Sequence, residues 1–191
     1  MTPDREAAER AVAAFLEALG LSPASDPELA DTPARVTEAF LDELLVGRSV
    51  DLGALCRGGT PAETHQGLVV AKGLAVTTVC PHHLLPALGT AVVAYHPGER
   101  MLGIGTLAEL MDAAARRPIL QERIGEAVVD ALMTHAGARG AWCRLELKHG
   151  CLSARGPRQA GALVTTIASR GTLAGETGSA ELALSLGAGG G

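Results

Sequence analysis

Apolar residues recur along this chain first at helical spacing, then at alternate positions, then in each period by turns. Ala8, Val12, Phe15, Leu16 and Leu19 lie on one face of a helix that Gly20 closes, and Thr2-Pro3 reads as its start. Asp31-Thr32-Pro33 opens a second helix carrying Val36, Phe40, Leu41 and Leu44, which stops near Gly47. From Arg48 to Gln66 the pattern is Gly-rich and irregular. From Gly67 to Cys80 the period falls to two, and Leu68, Val70, Leu74, Val76 and Val79 predict a hairpin turning at Lys72-Gly73. Leu84 to Tyr95 predicts another strand, closed by a turn at His96-Pro97-Gly98-Glu99. Thr106 with Glu109 fits a capping box for a helix through Ala115, and Pro118 starts another that carries Ile124, Val128 and Leu132 to Gly137. Cys143, Leu145, Leu147, His149 and Cys151 share one parity in the next strand, and Ala162 to Ser169 makes the last. Helices, then strands, helices and strands again predict an α+β chain with an antiparallel sheet.

Composition narrows the picture. The chain has 191 residues, enough for one domain with a helical extension. Residues 1–50 form the helical region and 51–66 an irregular connection. Residues 67–185 form the main domain, and 186–191 a flexible tail rich in Gly. One Trp, one Tyr and two Phe leave Ala, Val and Leu to fill the core, and a core of small side chains favours association. A net charge of −5 argues against nucleic acid held by phosphate neutralisation. No apolar run is long enough for a membrane span, and the polar, acidic start is unlike a signal peptide, so a cytoplasmic setting is expected.

The chemistry sits in two clusters, Cys80-Pro81-His82-His83 and His149-Gly150-Cys151. Thiol and imidazole together suit zinc, and a catalytic zinc needs three protein ligands with a fourth position left for water. Three ligands drawn from the two cysteines and three histidines leave two histidines as candidate proton carriers. The second cluster lacks the paired spacing of a structural zinc finger. Cys143 reads as core, Cys56 as an exposed thiol in an irregular segment, and Trp142 as packing. His65, His96 and His135 read as solvated.

Cys80-x-His82-His83-Leu84-Leu85-Pro86, Leu120-Gln121-Glu122-Arg123 and His149-x-Cys151-x-x-x-Arg155-Gly156 resemble the three signatures of the GTP cyclohydrolase I family. Asp31-Thr32-Pro33-x-Arg35 resembles its N-terminal helix motif, and the likeness runs over residues 5–185. The resemblance implies the tunnelling fold, a four-stranded antiparallel sheet with paired helices. It also implies a homo-oligomer, a decamer of two pentamers with sites at subunit interfaces. It implies zinc on Cys80, His83 and Cys151, delivering water to C8 of a purine, with His82 and His149 handling protons. Glu122 would take the N1–H and 2-amino group of guanine, Gln121 would help position water or base, and Arg35, Arg155 and Arg158 would meet ribose or phosphate.

Four departures matter. Pro81 stands where the family has Glu, and Glu38 where it has Lys. Gly105, Thr106 and Glu109 replace the Ser, Lys and Arg of the family's Gly-Leu-Ser-Lys-Leu-Ala-Arg segment, and Pro157 to Thr166 lacks the usual lysines. A cation–phosphate contact at about 4 Å is worth ~1 kcal/mol in water and ~4 kcal/mol at an effective dielectric of about 20. Two cations exchanged for carboxylates therefore predict a guanine-like or pterin-like substrate with fewer phosphates than GTP. The alternatives are an ordinary GTP cyclohydrolase I, making dihydroneopterin triphosphate and formate, and a non-catalytic purine- or pterin-binding ring protein.

Overall fold

The computed structural model describes residues 2–62 and 67–175. His65 and the tail at 186–191 lie outside them. The fold is built on four antiparallel strands in the order β2-β3-β5-β6. They are β2 (Val69–Val79), β3 (Pro86–His96), β5 (Gly140–His149) and β6 (Val164–Gly171). Two-residue strands β1 (Thr60–Pro61) and β4 (Arg100–Met101) pair beside them. Helices α4 (Ile104–Ala115) and α5 (Gln121–His135) cover one face of the sheet. N-terminal helices α1 (Arg5–Ala18) and α2 (Thr32–Glu38) precede them, with α2 running into a wide π-type turn over Ala39–Leu44. The expected α+β class and four-stranded antiparallel sheet are present.

The core lies between the sheet and α4 and α5. Leu107, Leu110 and Met111 from α4 and Ile124, Val128 and Leu132 from α5 meet Val93, Tyr95, Cys143, Leu145 and Leu147. These side chains follow the 3.6-residue period on the helices and the two-residue period on the strands, so each element offers one apolar face to the other. Burial pushes the Cys143 thiol up to about 12, as its expected place in the core requires. Trp142 packs on the opposite face with Ala94 and Leu173.

Several local expectations are corrected. Lys72-Gly73 is a β-bulge inside one continuous strand, not a hairpin turn: Ala71 pairs with Val93 and Leu74 with Ala91, so one extra residue enters β2. Gly73, at φ +69°, takes the left-handed conformation the bulge needs. The bulge swaps the parity, so Val69 and Ala71 share the core face with Leu74 and Val76. Helix α1 is capped by Asp4, whose carboxylate accepts from the Ala7 N–H, and not by Thr2. Thr106 and Glu109 form no capping box, because α4 begins earlier, with Gly103 at its N-cap. Tertiary packing sets that start: the buried Tyr95 hydroxyl accepts from the Leu102 N–H at 2.9 Å just before the helix. The irregular connection holds a short helix α3 (Leu52–Cys56), capped by Asp51, that tucks Cys56 into the core instead of exposing it. His96 is half-buried and hydrogen-bonded to the Thr172 hydroxyl at 2.8 Å, whereas His135 is exposed as expected.

The last two corrections shape the site. Pro118 to Leu120 run extended beside the end of β2, where the Ile119 N–H donates to the Val79 carbonyl, and α5 starts only at Gln121. Strand β5 ends at His149, and a helical turn, α6 (Gly150–Ser153), carries Cys151. The shared parity of His149 and Cys151 therefore does not persist, and the turn brings them together by another route.

Tyr95→Phe should leave the fold intact and strand the buried Leu102 N–H, costing about 1–3 kcal/mol. Urea denaturation followed by circular dichroism would read this as a lower midpoint with an unchanged slope.

Candidate active site

The first cluster sits on a loop that closes on itself where β2 ends. The Cys80 N–H donates to the Leu85 carbonyl at 2.9 Å, and the Leu84 N–H donates to the Cys80 carbonyl at 2.9 Å. Pro81 fits the second position of this turn, where its fixed φ suits the chain direction and no N–H is required. Leu84 closes the loop at φ +53°, a left-handed conformation that a branched side chain rarely adopts. Strain of this kind concentrates at functional sites.

This loop and α6 bring Cys80, His83 and Cys151 together, with one ligand atom from each lying within 4.8 Å of the others. The Cys80 Sγ is 3.6 Å from the His83 Nδ1. Bond lengths of about 2.3 Å to sulfur and about 2.0–2.1 Å to nitrogen around a tetrahedral ion put such a pair about 3.5 Å apart, so the residues fit a metal ion. The electrostatics agree. Burial and the neighbouring Cys80 thiol push the Cys151 thiol above its ordinary range, with Arg155 pulling the other way. A bound cation would relieve that opposition between two thiolates.

A cleft of about 280 Å³ opens beside these ligands. Cys80, Pro81, His82, Gln121, Glu122, His149 and Cys151 line it, with an apolar wall of Ile119, Leu120, Leu152 and Val164. The His82 Nδ1 lies 4.0 Å from the Cys80 Sγ. Burial lowers the His149 imidazole below its ordinary value, and the Glu122 carboxylate partly offsets this. Glu122, in the first turn of α5, also borders a second cleft of about 480 Å³ formed with Glu126, Thr166, Ser169 and Arg170.

Gln121 stands apart from the other lining residues. It is 3% exposed, and its amide is engaged at both ends. The Nε2 donates to the Val164 carbonyl at 2.8 Å and the Leu145 carbonyl at 3.3 Å, while the Oε1 lies 2.7 Å from the His149 Nε2. An amide so occupied is held at both ends by the protein itself, although Gln121 also lines the cleft.

The arginines are not gathered here. Arg35 lies exposed on α2, paired with Asp31 at 3.0 Å. Arg155 and Arg158 lie on the exposed segment after α6, and none of the three lines the cleft of this chain. Thr78 was missed by sequence reasoning. It is buried beneath the cleft and donates its hydroxyl to the Arg117 carbonyl at 3.3 Å, and in sequence it was one more polar residue in a strand.

The family model for GTP cyclohydrolase I matches residues 8–186. The GTP cyclohydrolase 1 of Leifsonia xyli subsp. xyli is 42% identical over 187 residues, covering 97% of each chain. That of Halalkalibacterium halodurans is 38% identical over 96% of each chain. That of Mycobacterium ulcerans is 38% identical over 96% of this chain and 90% of its own.

Elemental analysis after dialysis against trace metal should find one ion per chain. Cys151→Ala should lose it, whereas His149→Ala, which keeps all three donors, should retain it.

Proposed function

This chain belongs to the GTP cyclohydrolase I family, and on that premise we propose that it is a zinc-dependent hydrolase that opens the imidazole ring of a guanine nucleotide. The observation that carries the reading is the Cys80–His83–Cys151 donor set beside one cleft, which Cys80 and Cys151 line together with His82, His149 and Glu122. Two thiols and an imidazole favour zinc over harder cations, and three donors leave a position open. Zinc bound there would supply an activated water at neutral pH.

Ring opening requires protonation at N7, a water oxygen on C8, and a proton for the departing nitrogen. His82 and His149 line the cleft and are left over from the donor set, so they are the proton carriers in this reading. Imidazole suits the task because its ordinary pKa is near neutral, and the lowered value at His149 favours its neutral, proton-accepting form. Glu122, exposed at the start of α5, offers two acceptor oxygens to the N1–H and 2-amino group of a guanine ring. The apolar wall of Ile119, Leu120 and Val164 suits the flat face of a base.

The relatives' names favour GTP itself, and in this reading the products are formate and dihydroneopterin triphosphate. A second reading, a substrate with fewer phosphates, is favoured by Glu38 and Glu109, carboxylates where the family carries cations. We also infer a ring assembly, a decamer of two pentamers. Leu88, Leu163 and Ile167 are exposed, and edge strands β2, apart from Val79 beside Pro118, and β6 each have one side unpaired among the described residues. The four cysteines are unpaired, which supports a reducing, cytoplasmic setting. Among the described residues no helix is long and apolar enough to cross a membrane. Residues 67–185 form the catalytic unit in this reading, with residues 1–50 as its helical extension.

The test is a turnover panel on zinc-loaded protein with GTP, GMP, guanosine and guanine, followed by ultraviolet spectra and formate release. Formate from GTP is the expected result. Formate from GMP or guanosine with GTP inert would select the second reading, and none from any substrate would overturn both. On the accepted substrate, His149→Ala should lower kcat by about 10²–10⁴-fold, the usual contribution of a positioned proton carrier.

A further inference from the structure

We propose that Gln121 is a positioning residue that locks His149 in the tautomer with its proton on Nε2, leaving Nδ1 as the nitrogen with the free lone pair. Backbone carbonyls only accept, so the end of the Gln121 amide that faces both the Leu145 and the Val164 carbonyls is the NH2 group. A flipped amide would set its oxygen against two carbonyl oxygens inside the protein. The Oε1, which only accepts, is thereby fixed 2.7 Å from the His149 Nε2. A contact that short needs a hydrogen between the atoms, and only the ring nitrogen can supply it. The other tautomer would place lone pair against lone pair at the same distance.

The lock is stiff because its base is tertiary. Leu145 lies in β5 and Val164 opens β6, so the amide of α5 is held by two strands at once. Gln121 is 3% exposed, which keeps water from competing for these bonds. The His149 carbonyl is held separately by the Ser153 hydroxyl at 3.0 Å, which fixes the backbone behind the ring. A hydrogen bond fixed on one ring nitrogen sets which of the two is free to react. The consequence for catalysis rests on the reading of His149 as a proton carrier: exchange with substrate would run through Nδ1 alone.

The test is nitrogen-15 spectroscopy of histidine-labelled protein, metal-free and zinc-loaded, by magic-angle spinning so that assembly size is no obstacle. The His149 ring signals would be assigned from their loss in His149→Ala. The wild type should show a protonated Nε2 and a bare Nδ1 in its neutral ring. Gln121→Met, which keeps the volume and loses the amide, should show both tautomers. It should also lower kcat on the accepted substrate by about 10–100-fold, with KM changed far less. A proton on Nδ1 in the wild type, or a mixture there, would overturn the proposal without any variant having to fold. So would a single Nε2–H tautomer and full kcat in Gln121→Met. Should no purine be turned over, the proposed function falls while the spectra still decide the tautomer.

Discussion

The pairing register of β3 with β5 is the constraint on which the site depends. Ala87 lies opposite His149, and from that pair the ladder runs without a slip to His96 opposite Gly140. The register sets the loop before β3 against the turn after β5, and so brings two clusters distant in sequence to one place. Side chains alternate along a strand, so a shift of one residue would turn His149 away from the core face together with Leu147, Leu145 and Cys143. The candidate metal ligands are therefore held in place by the same apolar packing that stabilises the sheet. Gly150 follows at a point where the chain passes close to the start of β3: a Cβ there would lie 3.0 Å from the Pro86 carbonyl oxygen.

Helix α5 adds the third side. Its start is delayed to Gln121 by the extended stretch beside Val79, and that delay puts the buried amide and the exposed carboxylate of Glu122 in the same first turn. Burying an amide costs unless its donors and acceptor are all matched. Gln121 meets that condition through two carbonyls and one imidazole, so a polar group in the core here specifies geometry without leaving an orphan.

Much of this was legible in the sequence where one period dominates. The faces of α4, α5 and β5 follow directly from their apolar spacing, and the Cys and His clusters are visible as spacing alone. The misses have physical causes. A bulge inverts parity within a strand, so Leu68 and Val70 looked as though they shared a face with Leu74 and Val76 when they lie on the other one. Capping signals at Thr2 and Thr106 were local, whereas the helix starts answer to Asp4 in one case and to the Tyr95 hydroxyl in the other. The short α3 offers too few residues for a periodic signal, which is how a buried Cys56 passed for an exposed one. The link between Gln121 and His149 has no local signature, since it exists only once three elements have met.

The carboxylates that suggested a smaller substrate do not weigh equally. Glu38 lies close enough to the Arg5 guanidinium to help raise its pKa, although Asp42 does most of that through a hydrogen bond at 2.7 Å. Glu38 thus has one opposite charge near it among the N-terminal helices, a minor contribution beside that of Asp42. Pro81 likewise has a local role in the turn that follows Cys80. Glu109 differs. It borders a cleft beside Asp112, one turn further along α4, and Asp112 already holds Arg116 at 2.7 Å. Among the described residues Glu109 makes no ion pair, and it forms no capping box that would explain it as helix chemistry. A like charge three residues away is mildly unfavourable on a helix. The case for an altered phosphate handle thus rests most on one side chain, on α4, and away from the cleft lined by the candidate metal donors in this chain. For Glu109 to act on a substrate held there it would have to come from a neighbouring copy, so the substrate question and the assembly question are physically the same one.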